Sequence, residues 1–205
     1  MALELLIIDG TDRTGKTTTI NSVKSELTRQ GIDWIDFHNK DLTYPKFTDI
    51  MHPRENENFY MKQLEYLAIQ ARTIKQMWLR LGNTERRTIV IADRMHYAFA
   101  VYNIVNRPAL TKRYFNKVNM YQSVYEFEYY LLSIFDSVNQ FVFVAGEDFK
   151  FNDDLNHFMY KMKSSKLREV NEHFKSFLET ETKMRIYKLE VDTATDNSGE
   201  IIKCI

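Results

Sequence analysis

The chain has 205 residues, 44% hydrophobic and 27% charged, a length that suits one domain with a sizeable core. Lys plus Arg and Asp plus Glu each number 28, so there is no global basic field for wrapping nucleic acid. One cysteine, Cys204, excludes an intramolecular disulfide, and no apolar run is long enough for a membrane span. The N-terminus MALELLIIDG has no basic stretch of the signal-peptide kind, so a cytoplasmic protein is expected.

Leu3 to Asp9 (LELLIID) is a nearly continuous apolar run ended by Gly10, which predicts a strand buried on both faces. Lys16 to Gln30 carries helix formers and stops at Gly31. Asp33 to His38 is a second strand candidate, and the polar, proline-bearing stretch Asp41 to Asn56 reads as a loop. An amphipathic helix follows over Glu57 to Leu81, closed by Gly82. Thr88 to Asp93 (TIVIAD) is the clearest strand, and His96 to Val105 starts another helix. Val118 to Val138, rich in Tyr and Phe, reads as a helix; Gln140 to Ala145 reads as a strand. Asp153 to Thr180 is mostly helical with a charged interruption, and Met184 to Val191 is the last strand. Alternation of strand and helix predicts an α/β fold: a central, mostly parallel five-stranded sheet between helices.

Residues Gly10, Thr11, Asp12, Arg13, Thr14, Gly15, Lys16 and Thr17 fit the phosphate-binding pattern G-x-x-x-x-G-K-[ST] at every fixed position, and Thr18 follows. Glycines let the backbone curl until successive N–H groups face anionic oxygens, and the next helix presents its N-terminus to the same charge. Lys16 can bridge β- and γ-phosphate oxygens of ATP, and the Thr17 hydroxyl can ligate Mg²⁺. Arg13 places a guanidinium where a transferring phosphoryl group would sit, and Asp12 puts a carboxylate at the same mouth. At the end of TIVIAD, Asp93 can orient Mg²⁺ and Arg94 can clamp phosphates.

With these motifs, the chain resembles the thymidylate kinase family of P-loop nucleoside monophosphate kinases. IIDGTDRTGKTT resembles that family's phosphate loop in the form with Asp-Arg inside it, and IADRMHYAFAVY resembles its D-R-Y-x-x-S-x-x-A-Y segment. LAIQAR resembles the helix segment whose Arg faces the acceptor base, and LEVDTAT the strand and loop flanking the donor adenine. The resemblance implies a P-loop NTPase three-layer sandwich over 1–205, an acceptor region at about 41–81 and a lid at about 149–168. It implies Arg13, Lys16, Arg94 and Asp93 as the catalytic set. Acceptor contacts would come from Asp12 to a sugar hydroxyl, from Arg72 to the base and from Tyr102 beneath the sugar or base.

The departures fall on the acceptor side. Tyr44-Pro45-Lys46-Phe47 has Phe where the family has a phosphate-gripping Arg, a role open to Lys46 or Arg54. Ala68 stands where an aromatic stacks on thymine, Met95 replaces a Tyr and Ala98 a Ser. The expected activity is Mg²⁺-dependent transfer of the γ-phosphoryl of ATP to a deoxynucleoside monophosphate like dTMP. Two alternatives stay open: another acceptor, such as a nucleoside or a hydroxymethylated pyrimidine within DNA, or a non-catalytic nucleotide-binding module. A homodimer through the aromatic helix Val118 to Ser137 is a further expectation.

Overall fold

The computed structural model describes residues 2–38, 59–82, 86–106, 117–151, 163–179, 182 and 184–205, without the side chains of 59 and 117–121. The strands are β1 (Leu3–Gly10), β2 (Asp33–Asp36), β3 (Thr88–Asp93), β4 (Ser137–Ala145) and β5 (Arg185–Val191). The helices are α1 (Lys16–Arg29), α2 (Phe59–Arg80), α3 (His96–Asn106), α4 (Lys117–Ile134), α5 (Ser164–Leu178) and α6 (Ser198–Ile202).

The strands form one sheet in the order β2-β3-β1-β4-β5, and every pairing is parallel. β1 is central because, Glu4 and Asp9 apart, its side chains are apolar on both faces. Leu3, Leu5 and Ile7 enter the core built with α2, α3, α4 and α5, while Leu6 and Ile8 enter a second core with Ile20, Val23 and Leu27 of α1. A strand without a polar face gains only when both faces are covered, and this produces the three layers. The α1 positions facing the sheet (Lys16, Thr19, Ile20, Val23, Leu27) recur at helical spacing, as do Leu167, Val170, Asn171, Phe174 and Phe177 of α5. α3 is buried nearly all round, against α2, α4 and α5.

Most expected elements form within one to three residues of their expected limits. The helix expected to run to Val138 instead ends at Ile134, and β4 begins at Ser137 rather than Gln140. Asp136 decides this: its N–H donates to Leu3 O at 2.9 Å, and its carboxylate accepts from Leu3 N at 2.7 Å. Val138 is thereby in register with Leu5, and pairing with β1 displaces a further helical turn. β2 is shorter than expected because, after Phe37 N–H donates to Ile91 O, the His38 ring turns to Arg94 O at 2.9 Å. The loop expected over Asp41 to Asn56, and residues 152–162 of the expected lid, lie outside the described residues. α6 is an element the sequence reading lacked. Among the described residues, no helix is long and apolar enough to cross a membrane.

Leu5→Ala should therefore cost about 2–5 kcal/mol through lost burial and an unfilled cavity, because Leu5 is fully buried in β1. Leu79→Ala, on an exposed site of α2, should stay within about 0.5 kcal/mol. Urea unfolding of the two variants checks this, and equal midpoints would contradict the central placing of β1.

Candidate active site

The phosphate loop joins β1 to α1 through two glycines that no other residue could replace cheaply. Gly10 has φ 122°, and a Cβ there would meet Phe143 O of β4 at 2.1 Å. Gly15 has φ 92° and precedes α1; its Cβ would meet Thr195 O at 2.3 Å. The loop is thus pressed between β4 and the segment after β5, the LEVDTAT region. Thr11 N–H donates to Phe143 O at 2.9 Å, and the Thr11 hydroxyl donates to Asn171 Oδ1 of α5 at 2.8 Å. Asn171 grips both backbone groups of Ala145, accepting from its N–H at 2.7 Å and donating to its oxygen at 3.1 Å. α5 is pinned through this one amide to β4 and to the loop.

Lys16 is buried, and its Nζ donates to Thr11 O at 2.5 Å, folding the ammonium over the loop it would serve. Burial lowers its pKa to about 8, against the opposing charges of Asp93 and Asp9. The α1 N-terminus directs its open N–H groups into the same space.

The second half of the site is the turn after β3. Arg94 has φ 69° and Arg13 φ 67°, and these two are the non-glycine residues with positive φ among the described residues. Such conformations cost roughly 1–2 kcal/mol each for an L-residue and persist where surroundings hold them. Arg94 is held by its N–H, which donates to Ile8 O at 3.0 Å, and by its carbonyl, which accepts from His38 Nε2. Its guanidinium pairs with Asp12 Oδ1 and lies 5.2 Å over the Tyr102 ring. The Tyr102 hydroxyl donates to the other Asp12 oxygen at 2.5 Å. Asp12, Arg94 and Tyr102, singled out separately in sequence, form one cluster, with Asp12 and Tyr102 buried and Arg94 partly so.

Asp12, Arg13, Lys16, Thr17, Asp93 and Arg94 border one cleft of about 360 Å³, with Thr18 and Ala194 on its rim. Four residues of the expected catalytic set therefore meet at one opening. Arg72 is elsewhere: it is exposed on α2, its guanidinium 5.7 Å over the Tyr130 ring of α4, beside Ala68. Lys46 and Arg54 lie outside the described residues.

Two features escaped the sequence reading. Tyr66 of α2 is buried and stacks against His38 with ring centroids 6.2 Å apart, putting an aromatic near the Arg94 turn that the Ala68 alignment had left without one. The other is Asp9. Its carboxylate is fully buried and accepts from Gly10 N at 3.0 Å, Ala98 N at 3.2 Å, and Met95 N and Gln140 Nε2 at 3.4 Å. Burial raises its pKa to about 6, opposed by Arg94, the backbone N–H donors and Lys16. The available signal was a carboxylate just before the closing glycine of a strand that, Glu4 apart, is otherwise apolar.

The thymidylate kinase family model matches residues 8–193, nearly the whole chain. No curated protein matches by sequence. Among solved structures, the chain is similar to thymidylate kinase from Candida albicans at 16% identity and TM-score 0.58, covering 100% of this chain and 91% of that one. It is also similar to thymidylate kinase from Ehrlichia chaffeensis at 12% identity and TM-score 0.55, covering 100% of this chain and 99% of that one. At these identities the structural likeness establishes the P-loop NTPase fold, and the family match establishes the class of chemistry. A phosphate loop, a cleft carrying two strained arginines and a family match over almost the full length converge: the chain belongs to the thymidylate kinase family and is an ATP-dependent nucleotide kinase.

Proposed function

We propose that the chain moves the γ-phosphoryl group of ATP to a deoxynucleoside monophosphate, with dTMP as acceptor and Mg²⁺ as the metal. The observation that carries this reading is the meeting of Arg13, Lys16 and Arg94 at one cleft, two of them in a strained backbone conformation. Three cations around one opening match the charge that spreads over a transferring phosphoryl group.

The donor set fits Mg²⁺. Thr17 and Asp93 border the same cleft and offer hard oxygen ligands, one hydroxyl and one carboxylate, leaving further positions for phosphate and water. When bound, the ion would neutralise phosphate charge; Thr17 and Asp93 would hold it.

The protein's own work is positioning. Lys16 exchanges the Thr11 carbonyl for phosphate oxygens, trading a neutral acceptor for a charged one. Arg13, at the cleft mouth, contacts the transferred group. Asp12 has each oxygen engaged, by Arg94 and by Tyr102. A carboxylate offers about four lone-pair sites, so a sugar hydroxyl can still donate to it while Tyr102 stays in place. Arg94 then turns from Asp12 towards the phosphates. Arg72, exposed on α2, would reach the base by leaving the Tyr130 ring over which it lies. His38 and Tyr66, beside the Arg94 turn, would add to base choice. The Candida albicans enzyme is described as having broad substrate specificity, so the acceptor test spans all bases.

Labelled γ-phosphate from ATP should appear on dTMP in preference to the other deoxynucleoside monophosphates, thymidine and DNA, and should vanish with Lys16→Ala. Label on another base, nucleoside or DNA alone would contradict the dTMP assignment. Arg13→Gly separates strain from function. Relieved strain of roughly 1–2 kcal/mol should match or exceed an entropy cost of about 0.4–1 kcal/mol, leaving thermal stability undiminished. kcat should fall by about 10³-fold or more, as for loss of a phosphate-contacting arginine. Melting curves and steady-state kinetics on the same preparation check both.

Lys16 also sets a pH dependence. Its free-state pKa is about 8, and bound phosphate favours the charged form, so ATP affinity should weaken as pH rises through about 8. Lys16→Arg keeps its charge across that range and should remove the trend. Calorimetric titration of ATP between pH 7 and pH 9.5 tests this; a flat wild-type profile would overturn it.

A further inference from the structure

We propose that Asp9 is a positioning residue for phosphoryl transfer, setting the phosphate loop against Arg94 through a carboxylate that grips both. The inference rests on the kinase reading above and gives a role to Asp9, which precedes the fixed positions of G-x-x-x-x-G-K-[ST] and is given no role by the Asp-Arg motif.

Asp9 reaches three elements from the centre of the sheet. One oxygen takes the N–H of Gly10, where the phosphate loop departs. The other takes N–H groups of Met95 and Ala98 at the start of α3, and the amide of Gln140 on β4. Arg94 lies directly before Met95 and is strained at φ 69°. Its own N–H is held by Ile8 O, and the next N–H by Asp9, so two successive residues of β1 clamp the backbone on both sides of the strained residue. Strain persists only where neighbours over-determine it. Releasing the Asp9 grip lets the turn relax and carries the Arg94 guanidinium away from its productive place.

A neutral cap would satisfy a helix N-terminus, so the burial of a carboxylate needs its own reason. Charged groups acting on Asp9 are Arg94 from the β3–α3 turn and Lys16 from α1; β4 presents the neutral Gln140, and α3 presents backbone N–H groups. The anion thus stands behind the two cations that face phosphate and draws both to one centre. Burial brings its titration to about pH 6. Protonation at lower pH weakens every one of the four contacts, since donors then face a neutral carboxyl.

Two measurements test the proposal. The backbone amides of Gly10, Met95 and Ala98, followed by NMR in the free protein, should titrate together near pH 6 in wild type and not in Asp9→Asn. This arm needs no acceptor, so a wrong acceptor assignment leaves it able to decide. On the nucleotide that wild type phosphorylates fastest, Asp9→Asn should lose about 100-fold in kcat, the scale of a misplacement near 1 Å, with KM for ATP little changed. Asp9→Glu should recover part of the loss. Gln140→Met, which removes a single donor from a side chain whose amide oxygen has no partner among the described residues, guards against an unfolded Asp9 variant. It should move the acid limb of kcat to higher pH, while the ionisation of the acceptor phosphate, common to both proteins, stays in place. Independent titration of the three amides, wild-type kcat in a folded Asp9→Asn, or an unmoved acid limb in Gln140→Met would each overturn it.

Discussion

Two carboxylates and two cations, packed together at the end of the central strand, are what the rest of the structure depends on. Asp9 and Asp12 are buried, as is Lys16, and Arg94 is partly so. An isolated charge inside a protein costs many kcal/mol; a set of opposite charges with its hydrogen bonds satisfied is tolerated. The topology serves this balance. With β1 between β3 and β4, all parallel, the phosphate loop, the Asp-Arg turn and the end of β4 all emerge at the C-terminal ends of the strands. Open parallel sheets place ligands beyond these carboxyl ends, where neighbouring connections diverge.

This arrangement is poised for an anion. Each cation rests on a partner that phosphate can better: Lys16 on a carbonyl, Arg94 on a carboxylate it shares with Tyr102. The strain held in Arg13 and Arg94 is offset elsewhere, by the apolar packing of β1 on both faces and by the clamp that Asn171 sets between α5, β4 and the phosphate loop. Stability and site geometry are linked through these contacts: the same buried groups that fix the loop also fix the distance between Lys16 and Arg94.

Much of this was legible in the sequence. LELLIID and TIVIAD are short, apolar and bounded, and they form the strands that carry both phosphate-facing motifs. Gly10 and Gly15 stand where positive φ and close backbone approach are required. Local pattern carried these features because each depends on neighbours in the chain. The rest depends on partners far away in sequence. Asp136 ends α4 by pairing with Leu3, 133 residues earlier. Asp9 meets Ala98 and Gln140, and nothing near Asp9 in sequence announces either. Arg72 fits a family pattern along α2, yet the rotation of that helix, set by Tyr60, Leu64, Leu67, Ala71 and Ile74 in the core, leaves it exposed over Tyr130. Tyr66, on the buried side of the same helix, faces His38 instead.

The most direct test of a cleft built to exchange internal partners for phosphate is a structure with a bisubstrate analogue, adenosine and thymidine joined through a polyphosphate chain. The expected result is Lys16 Nζ and the Arg94 guanidinium on phosphate oxygens, with Thr11 O and Asp12 Oδ1 released and Tyr102 still on Asp12. Lys16 and Arg94 keeping their present partners, with the phosphates bound elsewhere, would contradict it.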